Sequence, residues 1–103
     1  MIVLLLLILC VTSMSQAAKV ISVNFAQNVG QYILADEVAG LSEYASANFN
    51  NFNSATGSGP LVDETGLPTG AAVSFASAGT WGDGGAGTAT PDAKLSRGYL
   101  DDG

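Results

Sequence analysis

Carboxylates are the residues of this chain whose type allows the widest chemistry. Nine Asp and Glu residues occur among 103, and neighbouring pairs stand at 36–37, 63–64 and 101–102. Glycoside hydrolysis needs two carboxylates with different pKa values facing one substrate. Adjacent residues of a strand point to opposite faces, so these neighbours do not form a working pair. The pattern favours solvated turn residues and predicts no catalytic site.

Calcium is a second chemistry open to the acids, because it prefers oxygen ligands. Asp83 lies in a glycine-rich stretch, and Asp101 and Asp102 lie near the end of the sequence. If strands bring these three together, they are candidate calcium ligands. We carry calcium as a hypothesis and predict no other cofactor.

A glycine motif, G-x-G-x-x-G, occurs at Gly82, Gly84 and Gly87. In dinucleotide-binding folds this motif links a strand directly to the helix whose N-terminus meets the pyrophosphate. Here the residues TATP intervene before a helix can begin. No second apolar strand leads to Asp102, the acid at the expected distance. We therefore interpret residues 79–90 as a flexible turn.

Nucleophilic and zinc chemistry lack their usual residues. The sequence has no His, and its one Cys is Cys10. Ser-His-Asp and Cys-His arrangements are thereby excluded, and zinc sites that depend on His and Cys are disfavoured.

Trp81, the lone tryptophan, is the candidate ligand-binding residue. An exposed indole can stack on a sugar ring. The interpretation that we favour is that the indole covers the edge of a sheet. Fluorescence quenching by a ligand would separate the two.

The N-terminal residues indicate export. Residues 2–11 are an unbroken apolar run, too short for a bilayer span of about 20 residues but suited to a secretory signal. Ser15 and Ala17 then occupy the −3 and −1 positions of a cleavage site. We predict a signal peptide at 1–17, which removes Cys10, and one small domain at 18–103. The mature chain would therefore have neither a disulfide nor a thiol.

The charge balance restricts the classes of binding partner that the chain can have. Three basic residues stand against nine acidic ones, a net charge of −6. Nucleic acids and anionic membrane surfaces require clustered Lys and Arg, so both are disfavoured.

The periodicity predicts an all-β chain. Apolar residues alternate with polar or small ones at 19–25 and 71–78, and residues 61–64 also favour a strand, joined to the strand at 71–78 by a turn in TGLPTG. We predict turns at 48–53, loops at 54–60 and 79–90, helical turns near 42–48, and a short helix that begins at Pro91, with Thr90 as its N-cap, and closes at Gly98. No closing strand is expected after it, although Tyr99 and Leu100 have the character of core residues. The fold class is an incomplete, jelly-roll-like β-sandwich with long Gly/Asn-rich loops.

Four stretches carry a resemblance: VISVNF at 20–25, NFNNF at 48–52, LVDETGLPTGAAVSF at 61–75 and GYLDDG at 98–103. In this order they resemble a group of exported bacterial proteins of unknown function that often end in a sorting tail of the PEP-CTERM kind. Phe49 stands where the group usually has Trp. The resemblance implies a β-sandwich whose remaining strands follow GYLDDG, and it implies no catalytic residues. The chain is then the N-terminal part of a single sandwich module.

The expected function is that of a secreted, non-catalytic module with a structural or binding role outside the cytoplasm. A carbohydrate or cell-surface polymer is the expected partner class. The alternative is a leading or accessory domain of a secreted polysaccharide hydrolase whose catalytic part lies downstream of Gly103.

Overall fold

The computed structural model describes residues 19–83 and 89–103. The predicted signal peptide, and Gly84 and Gly87 of the glycine motif, lie outside them. Within the described ranges, no helix is long and apolar enough to cross a membrane. In chain order the elements are β1 (Val23–Phe25), a 3₁₀ helix (Val29–Gln31), β2 (Asn50–Phe52), β3 (Thr56–Val62), β4 (Pro68–Ala76), β5 (Gly79–Gly82), α1 (Pro91–Leu95) and β6 (Gly98–Asp101).

The strands of the described residues pair two by two. β1 and β2 run parallel, whereas β3 with β4 and β5 with β6 form antiparallel hairpins. Strands therefore dominate over helix, and the prediction of an all-β chain is confirmed at this level. The sandwich arrangement stays a prediction.

Asparagine side chains join these sheets. The Asn50 amide donates to the carbonyls of Ser22 and Val62, and its oxygen accepts from the N–H of Val62. Asn51 similarly bonds the N–H and C=O of Ile33. These side chains satisfy backbone groups that would otherwise need another strand, because a buried unpaired N–H or C=O is costly. The asparagines thus act across the fold, beyond the local turns that their type predicts.

Three phenylalanines form the aromatic core between β1, β2 and β4. The Phe75 ring lies 4.9 Å from that of Phe25 and 5.2 Å from that of Phe52, both edge to face. Phe75 also covers Gly57 on the partner strand, where an added Cβ would lie 2.7 Å from its ring. Glycine in β3 therefore makes room for the ring that holds the hairpin to the core.

Asp63 fixes the turn between β3 and β4. Its carboxylate accepts hydrogen bonds from Thr65 and from the N–H of Leu67, and it pairs with Lys19 at 3.1 Å. These partners, the Thr65 hydroxyl first, hold the pKa of Asp63 well below its usual range. Hydrogen bonds to the charged form favour it over the neutral form. The predicted turn within TGLPTG is confirmed.

Two predictions about β3 and β5 are wrong. Residues 54–60 have the composition of a loop, but β3 begins at Thr56. The predicted glycine turn at 79–90 likewise begins with a strand, β5. In both regions, small residues allow another segment of the chain to approach closely. Cross-strand contacts therefore determine the structure more than local sequence preference does.

The N-terminal strand is shorter than predicted and its polar side is buried. Asn24 is 2% exposed whereas Ile21 is 38% exposed. Burial of Asn24 is possible because its amide donates to the Gln31 carbonyl and to Asn51.

The helical predictions are confirmed for the start of α1 and are wrong elsewhere. α1 begins at Pro91 and the Thr90 hydroxyl accepts from the N–H of Ala93, as predicted. It ends at Leu95, earlier than predicted, and Gly98 opens β6, a strand that the sequence did not indicate. Residues 42–48 form turns without a helix, held by an isolated bridge between Ala39 and Ser46.

Candidate functional site: an aromatic face on the second hairpin

The register of β5 and β6 places the candidate site. Trp81 lies opposite Tyr99, and Gly79 lies opposite Asp101. Because side chains alternate along a strand, these four residues belong to one face of the hairpin. Residues 80, 82, 98 and 100 belong to the other.

Trp81 and Tyr99 form an aromatic pair that is open to solvent. Their ring centroids are 5.8 Å apart with an angle of 37° between the planes. Each residue keeps 50% of its surface exposed. Such a pair is typical of binding surfaces, because Trp and Tyr combine a large apolar area with a polar atom at one end.

Charged groups stand at both ends of this pair. At one end the Arg97 Nε lies 3.6 Å from the Asp83 carboxylate, and the N–H of Asp83 donates to the Arg97 carbonyl, which extends the strand pairing by one step. At the other end lies Asp101, whose carboxylate accepts from the N–H of Gly103. We call Trp81, Tyr99, Asp83, Arg97 and Asp101 the aromatic face.

Beside Asp101 the aromatic face has free space. Among residues 19–83 and 89–103, a Cβ added at Gly79, which lies across from Asp101, would meet no other atom within 4 Å. A polar group of a ligand stacked on the rings can therefore approach the Asp101 carboxylate.

The opposite side of the hairpin is packed against the first strand. A Cβ added at Gly98 would lie 2.7 Å from the Phe25 carbonyl oxygen, and one at Gly82 would lie 2.8 Å from the Gln31 amide nitrogen. Gln31 is fully buried, and its oxygen accepts from the N–H of Gln27. Only glycine fits at either position, so the aromatic face rests on a rigid base.

The helix before β6 is also anchored. Lys94 is 8% exposed, and its ammonium group contacts both carboxylate oxygens of Glu37 at 2.7 and 2.8 Å. This hydrogen bond lowers the pKa of Glu37, aided by the N–H of Leu34. Asp92 accepts from the N–H of Gly40. Two contacts therefore tie α1 to the loop at 34–40 and fix the start of β6.

The structure does not bring the three candidate calcium ligands together. Asp83 and Asp101 lie at opposite ends of the aromatic face, and the four residue steps from Arg97 to Asp101 span roughly 13 Å. Calcium ligands lie within about 2.6 Å of the ion. Asp102 follows Asp101 directly, and the described residues contain no group of three acidic, His or Cys side chains arranged for a metal. The hypothesis of one shared calcium ion loses its geometric basis.

Trp81 is placed in the position that the binding interpretation requires. Its partner Tyr99 was missed, since the sequence indicated a core residue and the structure leaves it half-exposed. Arg97 was missed as well. The signal that could have found them is the alternation of 97, 99 and 101 opposite 83, 81 and 79, but it becomes visible only once the hairpin register is known.

No protein-family model, curated protein or solved structure matches this chain. The geometry of the aromatic face is therefore the starting point for its function.

Proposed function

We propose that this chain is a secreted, non-catalytic module of β-sandwich type that binds a carbohydrate or cell-surface polymer through the aromatic face. The observation that carries the proposal is the half-exposed pair of Trp81 and Tyr99. The C–H groups of a sugar ring complement the face of an aromatic ring, and two neighbouring rings can contact successive units of a polymer.

The charged residues fit the same ligand class. Sugar hydroxyls both donate and accept hydrogen bonds, and Asp101 and the Asp83–Arg97 pair offer acceptors and a donor on either side of the rings. A few polar groups around an apolar surface are the usual arrangement for fixing the orientation of a ligand. Because the chain carries a net charge of −6, neutral or amino-sugar polymers are favoured over anionic ones.

Export and architecture complete the proposal. The apolar run and cleavage pattern at 1–17 support secretion. The resemblance to exported bacterial proteins supports the sandwich.

A fluorescence titration tests the proposal, because Trp81 is the only tryptophan. Oligosaccharide fragments of neutral and amino-sugar polymers are added to the purified protein, and emission is recorded. We expect one class to quench or shift the emission saturably. By isothermal calorimetry, Trp81→Ala should weaken binding of that class by roughly thirtyfold, as for a central aromatic contact, and Tyr99→Ala should weaken it less.

Tyr44→Ala is the matched control, because Tyr44 is a tyrosine with 67% exposure that lies outside the aromatic face. It should leave the affinity unchanged. If no sugar class alters the emission, or if the Trp81 and Tyr44 variants bind equally, the aromatic face is not a carbohydrate site.

A further inference from the structure

The first hairpin has an edge, along β4, whose backbone groups point away from the partner strand β3. The N–H of Ser77 donates to the Ala55 carbonyl at 2.8 Å, next to the Thr56–Ala76 pair that begins the hairpin register. In an antiparallel pair, hydrogen-bonded and non-hydrogen-bonded positions alternate. Three residues of β4 therefore direct their N–H and C=O groups away from β3: Ala72, Ser74 and Ala76.

Pro68 and a register shift interrupt the first part of β4, but within the described residues no charge, proline or bulge protects its edge from Ala72 to Ala76. Within the described residues β4 pairs with β3 alone. The side chains at 72, 74 and 76 are small and exposed, and the sequence from Thr65 to Gly82 carries no charge. Exposed edge strands of soluble proteins usually carry a lysine, a proline or a bulge that prevents pairing with another chain.

β3 is protected on its outer side, whereas β4 is open from Ala72 to Ala76. Pro60 lies opposite Ala72, at a position where the backbone points outward, and proline has no N–H to offer there. Two residues further along, the Asn50 side chain occupies both backbone groups of Val62. The hairpin thus has one protected edge and one open edge.

We propose that the open edge of β4 is an interaction surface for a second copy of this chain, with the two β4 strands antiparallel and Ser74 of one copy opposite Ser74 of the other. This register alone lets all three outward residues pair, since Ala72 then meets Ala76 of the other copy. It also brings together the uncharged parts of two chains that each carry a charge of −6. Because the edge of β3 is protected, the assembly closes as a dimer with twofold symmetry and does not grow into a fibre.

Ser74 and Ser58 provide a matched pair of variants. They are the same residue type, lie opposite each other in the hairpin, and are both exposed. Sedimentation analysis over a concentration series should show a monomer–dimer equilibrium for the unchanged protein. Ser74→Lys places two like charges opposite each other and should raise the dimer dissociation constant by roughly tenfold or more. Ser58→Lys, on the protected strand, should leave it unchanged.

Cysteine cross-linking tests the register. In a Cys10→Ser background, Ser74→Cys should form a disulfide-linked dimer under mild oxidation, because residues facing each other in a hydrogen-bonded antiparallel pair have Cα atoms about 5.5 Å apart. Ser58→Cys should not. A protein that stays monomeric at every concentration, or equal behaviour of the two lysine or the two cysteine variants, would overturn the proposal.

Discussion

The two hairpins of the described residues are both antiparallel strand pairs, but they differ in chemistry. β3–β4 shows solvent a surface of small uncharged side chains, and its open feature is the backbone along β4. β5–β6 shows solvent two aromatic rings between charged groups. The first is suited to pairing with another strand and the second to contact with a ligand through side chains.

The difference follows from what lies beneath each hairpin. Under β3–β4, Phe75 packs over Gly57 into the aromatic core, so this large residue anchors the hairpin. Under β5–β6, glycines at 82 and 98 let the backbone itself approach β1. The large residues Trp81 and Tyr99 can then face solvent. The position of the glycines decides which surface becomes available for binding.

The largest effect on this comparison should come from Asn50, because its side chain joins β1 to β3. Asn50→Ala removes three hydrogen bonds and leaves the N–H and C=O of Val62 without that partner. We expect a loss of about 3 kcal/mol in the free energy of unfolding, measured by urea denaturation. Asn53→Ala, at an exposed position just beyond β2, is the control and should lose little. Equal losses would show that the Asn50 bridge does not hold the sheets together.

A smaller loss is expected when the base of the second hairpin is filled. At Gly82 a Cβ would lie 2.7 Å from the Arg97 carbonyl oxygen, whereas at Gly79 in the same strand it would meet nothing within 4 Å. Gly82→Ala should cost about 1–3 kcal/mol, and Gly79→Ala should be close to neutral in thermal unfolding. If Gly82→Ala is equally neutral, close packing of the backbone does not support the aromatic face.

Acid should act on the two hairpins over different pH ranges. Glu37 holds α1, the helix that precedes β6, to the loop at 34–40, and Asp63 holds the turn of β3–β4. Both pKa values are lowered in the folded chain, so each carboxylate stabilises the fold at neutral pH. That contribution disappears as the pH falls below the ordinary values of 4.5 for Glu37 and 3.8 for Asp63, through the lower folded values.

The melting temperatures of Glu37→Gln and Asp63→Asn, recorded as a function of pH, measure the contribution of each carboxylate to stability. Each variant should melt below the unchanged protein at pH 7. The gap should close first for Glu37→Gln, because the pKa of Asp63 is lowered much further. Glu43→Gln, at an exposed position, is the control. A gap that stays constant down to strong acid would contradict the assignment.

Parts of the fold could be predicted because they depend on local residues. The cap at Thr90, the proline after it and the turn that follows Asp63 each stabilise neighbouring backbone, and the structure has them where the sequence indicated. The strand β3 could not be predicted, since Thr56–Pro60 has the composition of a loop. It forms a strand because it pairs with β4 and packs against Phe75, which lies far along the sequence.

Only one of the two aromatic residues of the candidate site could be predicted from the sequence. Trp81 drew attention as a lone aromatic residue next to glycines. Tyr99 lies 18 positions further along the sequence and joins it only through the register of β5 with β6. The same register separates Asp83 from Asp101, which no spacing in the sequence reveals.

One set of amide and indole NMR spectra tests the central claim that the two hairpins bind through different groups. The protein is diluted in one series and titrated with the oligosaccharide class found by fluorescence in another. Dilution should shift the amides of residues 72, 74 and 76 and leave the Trp81 indole unchanged, whereas the oligosaccharide should shift the Trp81 indole and leave those amides unchanged. Shifts of both groups in both series, or of neither, would contradict the account.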